Sequence, residues 1–181
     1  DMQCLRDNAW PAVIARHLRY GGKVIGICGG FQMLGQRIDD PSGIEGAAGS
    51  SNGLGLLQID TELLPEKQLQ QVSGTLTVDN APVAGYEIHC GTSTGAALEQ
   101  CLVTFPCGRR DGAVSADGQI LGTYLHGLFD HPQARDALLG WAGLAPSCVP
   151  GVAVIREQQL ERLADVLERE LDCAALFPGV M

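Results

Sequence analysis

Aromatic residues are scarce in this chain, with four Phe, two Trp and three Tyr making up 5% of 181 residues. Its core must therefore be filled by aliphatic side chains. Basic residues are also short: 12 Lys and Arg face 21 Asp and Glu, for a formal net charge of −9. That balance offers no basic surface, so neither nucleic acid nor an anionic membrane is expected as a partner. No apolar run approaches the roughly 20 residues a membrane span requires. The N-terminal residues lack the basic-then-apolar pattern of a signal peptide, and a cytoplasmic protein is expected. No Cys-x-x-Cys pair occurs among the seven cysteines, at positions 4, 28, 90, 101, 107, 148 and 173. The odd number points to free thiols in a reduced compartment rather than a disulfide framework. No metal site is expected either, because His89 and Cys90 adjoin on a strand and so face opposite ways. A Gly-x-x-x-x-Gly-Lys-Ser/Thr loop is missing, which leaves no motif for holding a nucleotide's phosphates. What the chain does have is glycine, 24 residues of it, and 45% hydrophobic residues. Together they predict many tight turns around one aliphatic α/β core, a single domain over residues 1–181.

The stretch around which the rest is organised is Lys23 to Gln32. Val24, Ile25 and Ile27 form a short apolar run of buried-strand type, and Gly29-Gly30 turns the chain into the helical pattern Phe31-Gln32-Met33-Leu34. Cys28 stands at the turn. Gly-x-Cys-x-Gly is the cysteine form of a nucleophile elbow, a strained corner that pushes one side chain out at the end of a sheet. A helix N-terminus just beyond the sulfur favours thiolate. The competing reading is a small apolar residue that merely ends a strand.

In chain order, residues 1–20 read as one helix ended by Gly21-Gly22, with Pro11 in a first turn. Residues 39–52 have the composition of a surface loop, and residues 54–64 read as a strand. Two β-runs follow at 72–78 and 83–90, joined through Asp79-Asn80-Ala81-Pro82. Within the second, Tyr86 and Ile88 share one face and Glu87 and His89 the other, an arrangement that an exposed edge strand would also show. A strand is expected at 102–105, and Arg109-Arg110 reads as solvated surface. A hairpin pairs 112–116 with 119–124 about Asp117-Gly118, a strong turn signal. Asp130 and Gln133 form a capping-box pattern for a helix over 132–142. After a loop at 145–151, a last amphipathic helix is expected over 152–172.

His126 follows directly on a strand, as Cys28 does. Strand ends of an open α/β sheet lie together, so the two residues can meet, and imidazole near neutral pH both takes a thiol's proton and returns one to a leaving amine. Against this stands a strand-terminal histidine satisfied by a backbone carbonyl.

Gly26-Ile27-Cys28-Gly29-Gly30-Phe31-Gln32-Met33-Leu34-Gly35, Gly85-Tyr86-Glu87-Ile88-His89 and Gly122-Thr123-Tyr124-Leu125-His126-Gly127-Leu128-Phe129-Asp130 together resemble the C-terminal glutaminase domain of the cobyric acid synthase family. Asp40-Pro41-Ser42-Gly43-Ile44-Glu45-Gly46, Gly53-Leu54-Gly55-Leu56-Leu57 and Asp111-Gly112-Ala113 match it in the same order. The resemblance implies a flavodoxin-like class I, triad-type glutamine amidotransferase fold, a mostly parallel sheet flanked by helices with added β-hairpins. It implies that glutamine is hydrolysed at Cys28, with His126 as general base and acid and the Gly29 N–H as an oxyanion donor. Gln32 resembles a position that helps hold glutamine, and Glu87 and His89 match a motif beside the site.

In that family the ammonia passes to an N-terminal synthetase domain that uses ATP and Mg and amidates adenosylcobyrinic acid a,c-diamide. No cofactor is implied for the glutaminase domain itself. Where many class I glutaminases have His-Pro-Glu, this chain has His126-Gly127-Leu128, so a Cys/His dyad and slow hydrolysis by the domain alone are expected. The family's Pro-Gly-Ser-Lys loop, source of a second oxyanion donor, would precede Asp1, so the domain's first strands are expected to be missing. Related readings are the glutaminase domain of cobyrinic acid a,c-diamide synthase, a peptidoglycan-precursor amidotransferase, a cysteine hydrolase without a synthetase partner, and a non-catalytic docking domain.

Overall fold

A computed structural model describes residues 1–145, 150–172 and 176. It divides into two compact units, Asp1–Pro146 and Ser147–Met181. The second contains the helix Val152–Glu170, whose Leu160, Leu163 and Leu167 recur at helical spacing; Cys148 and Cys173 lie outside the described residues, as does much of the loop expected at 145–151.

In the first unit the expected opening helix is two, α1 (Met2–Asp7) and α2 (Trp10–Arg19), broken at Ala9 with φ +56°. Pro11 explains the break. It has no N–H for the Asp7 carbonyl, so a continuous helix would lose a bond and collide with the ring. The Asn8 side chain closes α1 by donating to the Cys4 carbonyl at 2.9 Å.

Strand β1 (Val24–Ile27) leads into α3 (Gly29–Leu34), as the apolar run and the two glycines predict. Residues 39–52, expected as loop, carry the end of β2 (Arg37–Asp40) and all of β3 (Gly49–Asn52), which pair antiparallel. The strand expected from Leu54 begins at Asp60, and the two runs at 54–64 and 72–78 merge into β4 (Asp60–Leu76). Its partner β5 (Pro82–Thr94) follows it throughout, apart from a register shift between Leu63 and Gln68. Pro65 lies inside that shift. Without an N–H it cannot join the ladder, and a bulge accommodates it. Short strands β6 (Val103–Thr104), β7 (Arg110–Asp111) and β8 (Ala113–Val114) precede β9 (Ile120–Thr123) and β10 (Leu125–His126). Helix α4 (Pro132–Trp141) starts from His131 rather than from the expected Asp130, and no side chain caps it.

One sheet has the order β1-β9-β8, with β1 and β9 parallel and Ile27 opposite Thr123. The other runs β10-β5-β4-β2-β3, with β6 and β7 attached to β4. Parallel pairing occurs at β1–β9 and β2–β4, and the remaining ladders are antiparallel, so the hairpin additions are more extensive than expected.

Two buried clusters flank the junction of the sheets. Leu121, Leu125, Leu128 and Leu138 belong to one, and Phe31, Leu34, Ile59 and Tyr124 to the other. Each fully buried aliphatic side chain contributes about 1.5–3 kcal/mol. The residues on either side of Cys28 and His126 are therefore anchored from beneath. Among the described residues no helix is long and apolar enough to cross a membrane.

Candidate functional site

Cys28 has φ +53° and ψ −116°, a conformation L residues rarely adopt. Such a backbone costs on the order of 1–3 kcal/mol and persists only where its surroundings over-determine it. Here they do. The Cys28 N–H donates to the Thr123 carbonyl at 2.9 Å, and the Cys28 carbonyl accepts from the Gln32 N–H at 3.1 Å. Gly26 lies so close beneath α3 that a β-carbon there would stand 2.8 Å from the Gly30 carbonyl oxygen. The corner is thus pinned from β9, from α3 and from below.

The Cys28 thiol donates to the Ile88 carbonyl at 3.5 Å, which brings the Gly85–His89 motif to the sulfur through its main chain. Burial pushes the thiol pKa up; the Gly29 N–H pulls it down, and the charges of Glu45 and Cys90 raise it further. The expectation that the helix N-terminus would favour thiolate is therefore corrected. Desolvation outweighs the Gly29 N–H, so the net direction is upward.

His126 ends β10, opposite Tyr86 of β5. The two rings stack with centroids 5.0 Å apart and planes 7° apart. Nε2 of His126 is buried and, among the described residues, has no hydrogen-bond partner. Thiol and imidazole are not hydrogen-bonded to each other; what the fold brings together is their strands, with His126 three residues beyond the Thr123 that holds Cys28. Leu128 is 1% exposed and sits in the core cluster of Leu125 and Leu138, so the position two residues after His126 is spent on packing.

Glu87 is not that acid. It stands opposite Leu125, on the other face of β5 from His126. Its two oxygens accept from Arg109 at 2.9 and 2.7 Å. Arg109 is exposed, as expected, and also neutralises a carboxylate that is 3% exposed, with its guanidinium 4.0 Å over the Phe105 ring. Long-range pairing of this kind leaves no local signal. His89 donates from Nδ1 to the Gly91 carbonyl at 2.7 Å, and its ring stacks on Tyr124 at 3.9 Å. Gln32 is buried one turn beyond Cys28, and its Nε2 donates to the Tyr124 hydroxyl at 3.4 Å.

The family model described as a CobB/CobQ-like glutamine amidotransferase domain matches residues 1–134. The chain belongs to that family. A solved structure described as a crystal structure of glutamine amidotransferase has the same fold: it is 16% identical with a TM-score of 0.54, and the match covers 79% of this chain and 73% of that one.

The amidotransferase domain has a cavity of about 390 Å³ beside its elbow. Gly29, Gln32 and Met33 form one wall, and Asp40 and Glu45 lie on another. The carboxylate of Asp40 accepts from the Ile44 and Glu45 N–H groups at 2.7 and 3.0 Å, which fixes the turn that presents Glu45. Those bonds hold the Asp40 pKa below the ordinary value.

Asp111 is a residue that motif reading passed over. Its buried carboxylate accepts from the Thr123 hydroxyl and from the Tyr124 N–H, and Thr123 Oγ1 accepts in turn from the Leu125 N–H at 3.0 Å. This chain pins the backbone leading into His126. Burial pushes the Asp111 pKa up, partly offset by those donors. Its place in Asp111-Gly112-Ala113 was visible in the sequence, but its partners Thr123 and Tyr124, twelve and thirteen residues away, were not.

Proposed function

We propose that this chain is the glutaminase domain of a cobyric acid synthase. Cys28 attacks the γ-amide carbonyl of glutamine after His126 takes the thiol proton. The Gly29 N–H faces the oxyanion of the tetrahedral intermediate. His126 then returns the proton to the amide nitrogen, the C–N bond breaks, and ammonia leaves a γ-glutamyl thioester. Water, deprotonated by the same imidazole, hydrolyses the thioester to glutamate and restores the thiol. The ammonia goes to a synthetase domain that uses ATP and Mg to amidate carboxylates b, d, e and g of adenosylcobyrinic acid a,c-diamide.

The observation that carries the reading is the conformation of Cys28, φ +53° and ψ −116° at a strand-to-helix corner. A cysteine that merely ended a strand would have no reason to hold it. Asp40 and Glu45 in the cavity complement the α-ammonium of an amino-acid substrate. Among related enzymes, the string Leu125-His126-Gly127-Leu128-Phe129-Asp130 favours cobyric acid synthase. The test is Cys28→Ser in the complete enzyme. Glutamine-dependent amidation should be abolished while ammonia-dependent amidation is retained; loss of both would make Cys28 structural.

A further inference from the structure

Gln32 of α3, Ser93 of β5, Thr61 of β4 and Tyr124 between β9 and β10 form one hydrogen-bonded chain. Gln32 Nε2 donates to the Tyr124 hydroxyl at 3.4 Å, that hydroxyl lies 2.8 Å from Ser93 Oγ, and Ser93 Oγ lies 2.7 Å from Thr61 Oγ1. A phenol has a single proton. With Gln32 Nε2 donating to Tyr124, the phenol's one proton is free for Ser93, and the Ser93 O–H is free for Thr61. In this arrangement the Gln32 amide has its nitrogen toward Tyr124 and its oxygen left over.

Tyr124 is itself held by two rings. His89 stacks on it at 3.9 Å, and Phe31 meets it edge-on at 5.3 Å. On the other side of the amide the Gly91 backbone closes in, since a β-carbon at Gly91 would strike Gln32 Nε2. Burial pushes the Tyr124 pKa up, so the hydroxyl keeps its proton across the working range. A tyrosine needed only for packing would be satisfied by Ser93. The added bond goes to a side chain that lines the cavity beside the elbow.

We infer that Tyr124 is a positioning residue, which orients the Gln32 amide so that its oxygen accepts an N–H of glutamine bound next to Cys28. The inference rests on the glutaminase reading. It also gives His89 a role through Tyr124 rather than against substrate.

Two reagents separate this role from a structural one. 6-Diazo-5-oxonorleucine alkylates a glutaminase cysteine only through the glutamine pocket, whereas iodoacetamide needs only an accessible thiolate. In Tyr124→Phe the second-order rate of labelling by the glutamine analogue should fall about tenfold, the loss of one buried hydrogen bond. The change should lie in the half-saturating concentration rather than in the limiting rate. The iodoacetamide rate at Cys28 should stay within about twofold. Ser93→Ala should shift analogue labelling in the same direction by about threefold, again without moving the iodoacetamide rate. Unchanged analogue labelling in both variants would overturn the inference alone, as would equal losses with the two reagents. Failure of the wild-type chain to label with the analogue would overturn the glutaminase reading and this inference with it.

Discussion

The two partners of the site are held to different degrees. Cys28 is fixed by its backbone, through hydrogen bonds to Thr123 and Gln32 and the close passage of Gly26 beneath α3. The backbone leading into His126 is pinned through Asp111 and Thr123, but its ring rests on the stacked Tyr86, with Nε2 lacking a hydrogen-bond partner among the described residues and Leu128 turned into the core. The cysteine is held more completely than the imidazole. On the proposed mechanism, hydrolysis is limited by how often the imidazole and a half-buried thiol reach a productive arrangement.

The largest effect expected from breaking this contrast is at Gly85. A methyl group there would run into the His126 carbonyl oxygen, so Gly85→Ala must displace β10. Glutaminase activity should fall by about 10² or more, the range for losing a general acid-base group. Iodoacetamide labelling of Cys28 should hardly change. The mirror-image change Gly26→Ala should impair both, because a β-carbon there meets Leu34 and the Gly30 carbonyl under the elbow itself. If both variants behaved alike, the two halves of the site would not be independently held.

A smaller effect is expected at Glu87. Glu87→Gln leaves Arg109 without its ion pair, and the cost should be about 1–2 kcal/mol. That is below the figure for a fully buried pair because the Arg109 side chain is 42% exposed. The melting temperature should drop while the pH profile of glutamine hydrolysis keeps its shape. A displaced acid limb would mean that Glu87 orients His126 after all.

The smallest effect concerns Glu45, third among the influences on the Cys28 thiol. Its negative charge raises the thiol pKa, so Glu45→Gln should lower it and increase the thiolate fraction at a given pH. The rate of iodoacetamide labelling plotted against pH should shift to lower pH, whereas the same plot for the wild-type chain should climb through a pKa above the ordinary 9.0. A shift in the other direction would contradict the electrostatic assignment.

What the sequence made legible follows from how local each signal is. β1 and the elbow were readable because an apolar run and two glycines fall within ten residues. The Asp117-Gly118 turn placed β8 against β9 for the same reason, and Pro132 opened α4. The single opening helix failed because Pro11 acts on a residue four positions earlier, a conflict that periodicity alone does not weigh. The long β4–β5 ladder was hidden by Pro65 and an exposed polar stretch, whose pairing depends on the partner strand. In the candidate site, Cys28, Gly29 and His126 could be singled out because their motifs are compact. The links Glu87–Arg109, Tyr124–Gln32 and Asp111–Thr123 join residues distant in sequence, and side-chain chemistry alone does not choose among such pairings.

The measurement that bears most directly on the central claim is labelling of the chain with 6-diazo-5-oxonorleucine, followed by mass spectrometry over the seven cysteines. The account predicts one adduct, on Cys28, that excess glutamine prevents. Labelling spread over exposed thiols such as Cys4 and Cys107 and insensitive to glutamine, or no labelling at Cys28, would contradict it.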